Sequence, residues 1–378
     1  MTPTPLAGLL AARIRATGPI SLADYMAECL LHPAHGYYAT RDPFGQAGDF
    51  ITAPEISQMF GELLGLCLAQ YWLDLGQPAS FTLAECGPGR GTLMADILRA
   101  TARVPGFHAA ARIILVEASE TLREVQARTL AAHSVEWRPQ VQDLPEAPLF
   151  LVANEFFDAL PIRQFTARAG LWAETMIGLS PEGQLQPGQA PPGPLAALAH
   201  RADVPEGGVV EICPAAAPIT AEIAGRIRRC GGLALILDYG GWRSLGDTFQ
   251  AMAQSMGKHA YTDPFAAPGE ADLTAHVDFE ALAQAARPAA TAYTTQGTLL
   301  KALGIDTRAR QLAAHPRAAA NDPLAAARRL TDPAEMGTLF KALAIYRADA
   351  PLPAGFDTSG SDRDQAVQGS DTETADDA

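Results

Sequence analysis

Residues Leu83–Leu93 read LAECGPGRGTL. The stretch predicts the end of a buried strand, a tight glycine turn and the first turn of a helix. An acid, Glu85, comes first; Gly87, Gly89 and Gly91 follow at alternate positions, then Thr92. A backbone that passes close to a ligand needs residues without Cβ, and the helix beginning beyond it offers unpaired N–H groups. The outline is that of a nucleotide-cofactor loop, or of a glycine turn that serves structure alone.

Outward from this loop, strand and helix alternate. Strand Phe81–Cys86 leads through the turn into a helix over Gly91–Thr101, and strand Arg112–Glu117 into a helix over Glu120–Ala132. A short strand covers Val135–Arg138. Strand Leu149–Asn154 runs into Glu155-Phe-Phe-Asp158. A later strand, Leu233–Asp238, follows a helix over Ile219–Cys230. Strands alternating with helices predict a doubly wound, mainly parallel α/β sheet. Ligands of such sheets bind beyond the carboxyl ends of the strands, and Glu85, Glu117, Asn154 and Asp238 fall at predicted strand ends.

The alternation is interrupted twice. Arg163–Arg168 and Leu171–Leu179 predict a hairpin, and the Pro/Gly/Gln-rich Gln184–Pro194 a loop. Tyr239–Asp278 is a long connection of the kind that forms lids or binding loops. After it the chain returns to helices, with one possible strand at Ala290–Thr295. Upstream, Leu6–Ala16 reads as a helix broken at Gly18-Pro19, and Ser21–Asp24 as a capping box. Thr52-Ala-Pro-Glu55 gives a second capping box, opening a helix to about Trp72. On that helix Met59, Leu63, Cys67 and Tyr71 form one apolar stripe and Phe60, Leu64, Leu68 and Trp72 the next, so it is buried. The chain thus divides into an N-terminal helical extension (1–78), a main α/β domain (79–350) with insertions at 163–208 and 239–278, and an acidic disordered tail (351–378).

Composition narrows the partners. The 378 residues are 48% hydrophobic and 19% charged, ordinary for a globular chain. Net charge is −14, and Phe356–Ala378 alone carries seven acids and one base. No basic stripe argues for nucleic acid. Five scattered cysteines without a CxxC pair predict reduced thiols. With no apolar run long enough to span a membrane and no secretory signal, the expected location is a bacterial-type cytoplasm, without a transit peptide. His32 and His35 are spaced HxxH, but nothing completes a ligand set, so no metal is expected.

The glycine spacing separates cofactors. A dinucleotide turn is GxGxxG, with its third glycine three positions after the second. Here Thr92 holds that position and the third glycine is Gly91, a pattern of acid-x-Gly-x-Gly-x-Gly. S-adenosylmethionine has no pyrophosphate to seat; its amino-acid moiety carries an ammonium, which suits an acid before the turn. Glu117, ending the next strand, is placed for both ribose hydroxyls of either cofactor. Asp143 is placed to accept from an adenine amino group, or merely to cap its loop. Asn154, Glu155 and Asp158, beside Phe156 and Phe157, suit a cationic nitrogen, with Asp158 as a local cap and the Phe pair as core the alternative.

These residues carry a resemblance to the MidA-like family of S-adenosylmethionine-dependent methyltransferases. The matching segments are LADYMAECLLHPAHGYY (22–38), GDFITAPEISQMFGELLG (48–65), ECGPGRGTLMADILR (85–99), NEFFDALPIRQF (154–165), LDYG (237–240) and DLTAHVDF (272–279). The resemblance implies a class I methyltransferase-like fold and residues 36–56 folded over the cofactor, with Asp49, Thr52 and Glu55 within reach. His276, in a family-like segment, would face the site or serve as a structural histidine. The family includes a mitochondrial complex I assembly factor that methylates an arginine of a core subunit. It therefore implies transfer to a protein arginine, symmetric dimethylation, and a complex I subunit equivalent to the mitochondrial 49-kDa one as partner. The competing readings are a non-catalytic assembly factor with this fold, and an NAD-dependent oxidoreductase, against which Thr92 counts.

Overall fold

Phe81–Cys86 and Leu149–Asn154 are buried along their whole lengths, as strands covered on both faces must be. They are the middle of the central sheet in a computed structural model that describes residues 4–40, 52–255, 258–314 and 322–356. Its strands are β1 (Phe81–Cys86), β2 (Ala111–Val116), β3 (Val135–Arg138), β4 (Leu149–Asn154), β5 (Gly232–Gly241), β6 (Ala290–Thr295) and β7 (Phe340–Tyr346). In space they run β3-β2-β1-β4-β5-β7-β6. All are parallel except β7, which lies antiparallel to both neighbours.

Alternate side chains feed two cores. Leu83, Leu115, Phe150, Val152 and Leu235 pack with helices Gln58–Asp74 and Thr92–Thr101 on one face. Ala84, Ile114, Leu151, Ala153 and Ile236 pack with helices Ala216–Cys230 and Phe279–Ala285 on the other. Helices 58–74 and 92–101 cross closely: a Cβ on Gly65 would stand 2.9 Å from the Ile97 Cα. A third core joins helices Pro5–Thr17 and Leu22–Leu31 to residues of the two insertions.

The insertions are more ordered than the sequence predicts. Arg163–Arg168 and Leu171–Leu179 pair as expected, but Leu185–Gln189, expected as loop, adds an antiparallel strand to 175–179. Its Pro187 and Gly188 are tolerated because it is an edge. Ile20–Ser21 and Val209–Ile212 complete this sheet, so the N-terminal extension is not purely helical. Within Tyr239–Asp278, strands Gln250–Ser255, Lys258–Thr262 and Asp272–Thr274 form a small antiparallel sheet. β7 (FKALAIY) falls where only helices were expected.

Two local expectations are corrected. Ser21 does cap its helix, accepting from Asp24 N at 3.0 Å. Thr52 does not: its hydroxyl makes no capping bond, and the helix it opens ends at Ile56. Ser57 then caps a separate helix, Gln58–Asp74. The reason is tertiary, because the Glu55 carboxylate that would close the box accepts instead from the Thr92 hydroxyl at 2.6 Å. At the other end, residues 351–356 do not belong to a disordered tail: Pro351 O accepts from the Tyr71 hydroxyl, and Phe356 is buried in the core. Residues 357–378 lie outside the described part. Among the described residues no helix is long and apolar enough to cross a membrane.

Candidate active site

The sheet order reverses between β1 and β4, and the carboxyl ends of these two strands open a cleft there. It is lined by Thr52, Pro54, Glu55, Glu85, Gly87, Pro88, Gly89, Arg90, Thr92, Leu93, Asn154 and Glu155. A larger cavity, about 270 Å³, lies between helices Ile305–Ala313 and Pro323–Thr331. None of the strand-end acids lines it, so size does not select the site; the chemistry of the lining does.

The loop after β1 turns through Gly87, Gly89 and Gly91, with φ of +61°, +51° and +81°. These are left-handed values that glycine adopts without a Cβ penalty. A Cβ on Gly87 would also stand 2.9 Å from the Phe156 ring. Glu85 is 3% exposed. Met94 N, in the first turn of the following helix, donates to its carboxylate, but Oε2 has no partner. Burial pushes the carboxyl up to about 8. Glu117 follows β2, its N–H bonded to Arg138 O of β3 at 2.9 Å. Its Oε1 accepts from Ser119 N (2.7 Å) and its Oε2 from Gln126 Nε2 (3.1 Å). Burial raises this carboxyl too.

The second half of the site follows β4. Glu155 is a non-glycine residue at φ +49°, a conformation uncommon for such residues. It keeps an open side toward the cleft, yet burial, and then the neighbouring Asp158 charge, push its carboxyl up to about 7. Its Oε1 accepts from Asn154 Nδ2 at 3.0 Å and from Ala53 N at 3.4 Å. Asp158 is 5% exposed, and its Oδ1 has no partner. Burial raises its carboxyl, while the Tyr239 hydroxyl, donating toward it, opposes the shift. Asp238, fully buried on β5, accepts from Phe157 N (3.0 Å) and Asp158 N (3.3 Å) on Oδ2 and from Tyr239 N (3.0 Å) on Oδ1. It thereby holds the turn that carries Glu155 and Asp158.

The structure therefore gathers Glu85, Gly87, Gly89, Thr92, Thr52, Glu55, Asn154 and Glu155 around one cleft, with Gly91 capping the helix behind it. Glu117 and Asp158 flank it without lining it. Asp143 sits in a one-turn 3₁₀ helix past β3, exposed. Asp49 lies outside the described residues. His276 stacks edge-on against Tyr239 at 5.2 Å, its Nδ1 buried without a partner and its basicity lowered by burial. Sequence reasoning missed Tyr239 and Gln126, each a polar residue inside an apolar setting. Gln126 had one available signal, a position on its helix one turn from the buried Leu122. Among the described residues no group of His, Cys, Asp and Glu is arranged to hold a metal.

The donor set can be matched to a cofactor. An orphaned, buried carboxylate oxygen beside a glycine turn fits an ammonium. A second carboxylate at the next strand end fits a ribose diol, and the narrow passage beside Gly87 admits no Cβ. These are the features an S-adenosylmethionine site needs.

Comparison with known proteins agrees. A family model described as "Putative S-adenosyl-L-methionine-dependent methyltransferase" matches residues 63–298, more than half of the chain. The Bos taurus protein "Protein arginine methyltransferase NDUFAF7, mitochondrial" is 36% identical over 91% of this chain and 84% of its own. Its Drosophila melanogaster homolog is 35% identical over 90% and 84%. A Burkholderia thailandensis structure, a COG1565 superfamily member and likely methyl transferase bound to S-adenosyl-homocysteine, superposes with a TM-score of 0.80 at 30% identity, covering 95% of this chain and 98% of that one. The expectation of a bacterial-type cytoplasmic protein is corrected by these relatives, because the animal proteins matched over most of the chain are mitochondrial. The glycine loop, the strand order and the matches together place the chain in the S-adenosyl-L-methionine-dependent methyltransferase family.

Proposed function

We propose that the protein methylates an arginine of a protein substrate, and that this substrate is a core subunit of respiratory complex I, the equivalent of the mitochondrial 49-kDa subunit, in support of its assembly. The product is symmetric dimethylarginine. Arginine methylation is supported by the names of the relatives; the complex I target rests on the family resemblance. The observation that carries the substrate chemistry is the group of three carboxylates, Glu155, Asp158 and Asp238, within one turn and its neighbouring strand.

S-adenosyl-L-methionine, when bound, supplies an electrophilic methyl group on sulfur and a neutral thioether as leaving group. Glu85 and Glu117 would hold its ammonium and ribose, with the Gly87–Gly91 backbone close against it. A guanidinium stays protonated in water, so the chain must orient it and remove a proton as the new N–C bond forms. Glu155 and Asp158 present carboxylate oxygens for a two-point grip on the guanidinium N–H groups. Asn154 fixes the Glu155 carboxylate by donating to Oε1. Asp238 fixes the turn through the backbone N–H groups of Phe157 and Asp158. Glu155, pushed up to about 7, is the group able to take the proton near neutral pH. Holding the nitrogen in line is worth up to roughly 7–11 kcal/mol in such reactions.

The test is mass spectrometry of the complex I subunit from cells with and without the gene. The expected result is a dimethylated arginine that disappears with the gene and is restored by the wild-type chain but not by Glu155→Gln/Asp158→Asn. An arginine of unchanged mass overturns the target assignment.

A further inference from the structure

Gln126 is fully buried on helix Glu120–Thr129, which packs behind the glycine loop in ordinary contact, a Cβ on Gly91 meeting the Gln126 Cα at 3.6 Å. Its amide is committed at both ends. Nε2 donates to Gly89 O at 2.8 Å and to Glu117 Oε2 at 3.1 Å, and Oε1 accepts from the Trp137 indole N–H at 2.8 Å. The orientation is forced by chemistry: an indole N–H only donates, and a carbonyl and a carboxylate only accept, so the oxygen must face Trp137. Both amide hydrogens are thus spent on the two cofactor-facing elements, one on each. The Glu117 backbone is pinned separately, its carbonyl accepting from Arg123 Nε at 2.9 Å. On the carboxylate itself, the backbone N–H groups of Ser119 and Ala118 hold the near side, and Gln126 is the side chain that donates to Oε2.

We propose that Gln126 is a positioning residue for ribose recognition: it locks Glu117 in the rotamer that meets the ribose hydroxyls and sets the distance between that carboxylate and the glycine loop, with Trp137 holding the amide in the required sense. This rests on the reading of Glu117 as the ribose acceptor. A free carboxylate would rotate among several orientations and pay for its fixation on binding, so the lock raises discrimination for a ligand that carries the hydroxyls over one that lacks them. A structural buried glutamine would instead affect both ligands alike.

The experiment is titration calorimetry of the full-length protein with S-adenosylhomocysteine and with its 2′-deoxy and 3′-deoxy analogues. In the wild type the missing hydroxyl is expected to weaken binding about tenfold, the effect of one hydrogen bond to a charged group. Gln126→Met, of similar length and shape, is expected to shrink that ratio to about twofold, and Trp137→Phe to an intermediate value, with thermal unfolding used to confirm that each variant folds. Equal losses for all three ligands, leaving the ratio at its wild-type value in both variants, overturn the proposal. Glu117→Ala separates the two levels. If it too leaves the ratio unchanged, the ribose reading of Glu117 is wrong and the proposal falls with it. If it collapses the ratio while Gln126→Met and Trp137→Phe do not, only the role of Gln126 falls.

Discussion

Glu62 and Glu85 are equally hidden, 4% and 3% exposed, yet they live in opposite electrostatic settings. Burial alone would push both carboxyls up. At Glu62 that push is outweighed: Oε1 accepts from Arg99 Nη1 (2.5 Å), Arg308 Nη2 (2.9 Å) and Gln58 Nε2 (3.2 Å), and Oε2 from Arg308 Nε (2.7 Å), so its carboxyl falls below the ordinary value. At Glu85 nothing opposes burial except one backbone N–H, and the carboxyl rises to about 8. Glu155 behaves like Glu85. One carboxylate joins helix 58–74 to helices 92–101 and 305–313; the others are left wanting a cation. A buried acid without a cation is costly to ionise, so the contrast marks Glu62 as scaffold and Glu85 and Glu155 as candidates for a cationic ligand.

The contrast can be broken by substitution. The largest effect is expected for Glu155→Gln and Asp158→Asn, which should lower the methyl-transfer rate about a thousandfold, comparable to the loss of a key electrostatic group. Cofactor affinity, measured by calorimetry, should stay within about threefold; a variant that methylates at near-wild-type rate places the substrate elsewhere. Next comes Glu62→Gln, which takes the carboxylate from Arg308 and leaves Arg99 with Asp96 alone. Chemical denaturation should show a loss of about 2 kcal/mol, less than the 3–5 kcal/mol typical of fully buried pairs because Arg99 and Arg308 are 46% and 34% exposed. Activity well below the unfolding temperature should hardly change. Glu85→Gln should do the reverse. It replaces a carboxyl that burial already keeps largely protonated below about 8, so cofactor-free stability should stay within about 1 kcal/mol at neutral pH, while affinity for S-adenosylhomocysteine falls about tenfold. Equal destabilisation by the two glutamines would erase the distinction.

Acidity gives the smallest and most diagnostic effect. Glu85 and Glu155 have folded values above the unfolded 4.5, so the stability they contribute is complete at low pH and lost as pH rises through about 7 and 8. Glu62 has a folded value below 4.5, so its contribution is complete above that pH and is lost as pH falls. Differential scanning calorimetry of the cofactor-free protein should therefore show a melting temperature lower by about 2–4 °C at pH 9 than at pH 6. Saturation with S-adenosylhomocysteine, whose ammonium is expected to pair with Glu85, should flatten that slope. A ligand-independent slope would mean that Glu85 is not the ammonium site.

Much of this arrangement is legible in the chain, for reasons that differ by element. β1, β4 and β5 are short, mostly apolar runs with an acid at or just after the end, the pattern expected of a parallel strand covered on both faces. β7 is not legible, since FKALAIY mixes good helix formers with a single β-branched residue and two aromatics, and its strand identity comes from the slot between β5 and β6. Thr52–Glu55 has every local feature of a capping box and fails because Thr92, distant in sequence, takes the carboxylate. Glu85 and Glu155 could be read as site candidates from their place at strand ends, whereas Gln126 could not: its role depends on Gly89, Glu117 and Trp137 meeting in space.

The position of β7 also bears on how the molecule is built. It inserts between β5 and β6, both of which precede it in the chain, and it is antiparallel to each. Until residues 340–346 emerge from the ribosome, those two strands each present an unpaired hydrogen-bonding edge, and β5 is among the most apolar segments of the protein. A nascent chain stopped before Phe340 would carry the whole glycine loop and every acid of the cleft, and still leave the backbone groups of residues 233–239 without their strand partner on one side of the gap. Synthesis, not chemistry, would then set the moment at which the enzyme becomes safe from self-association.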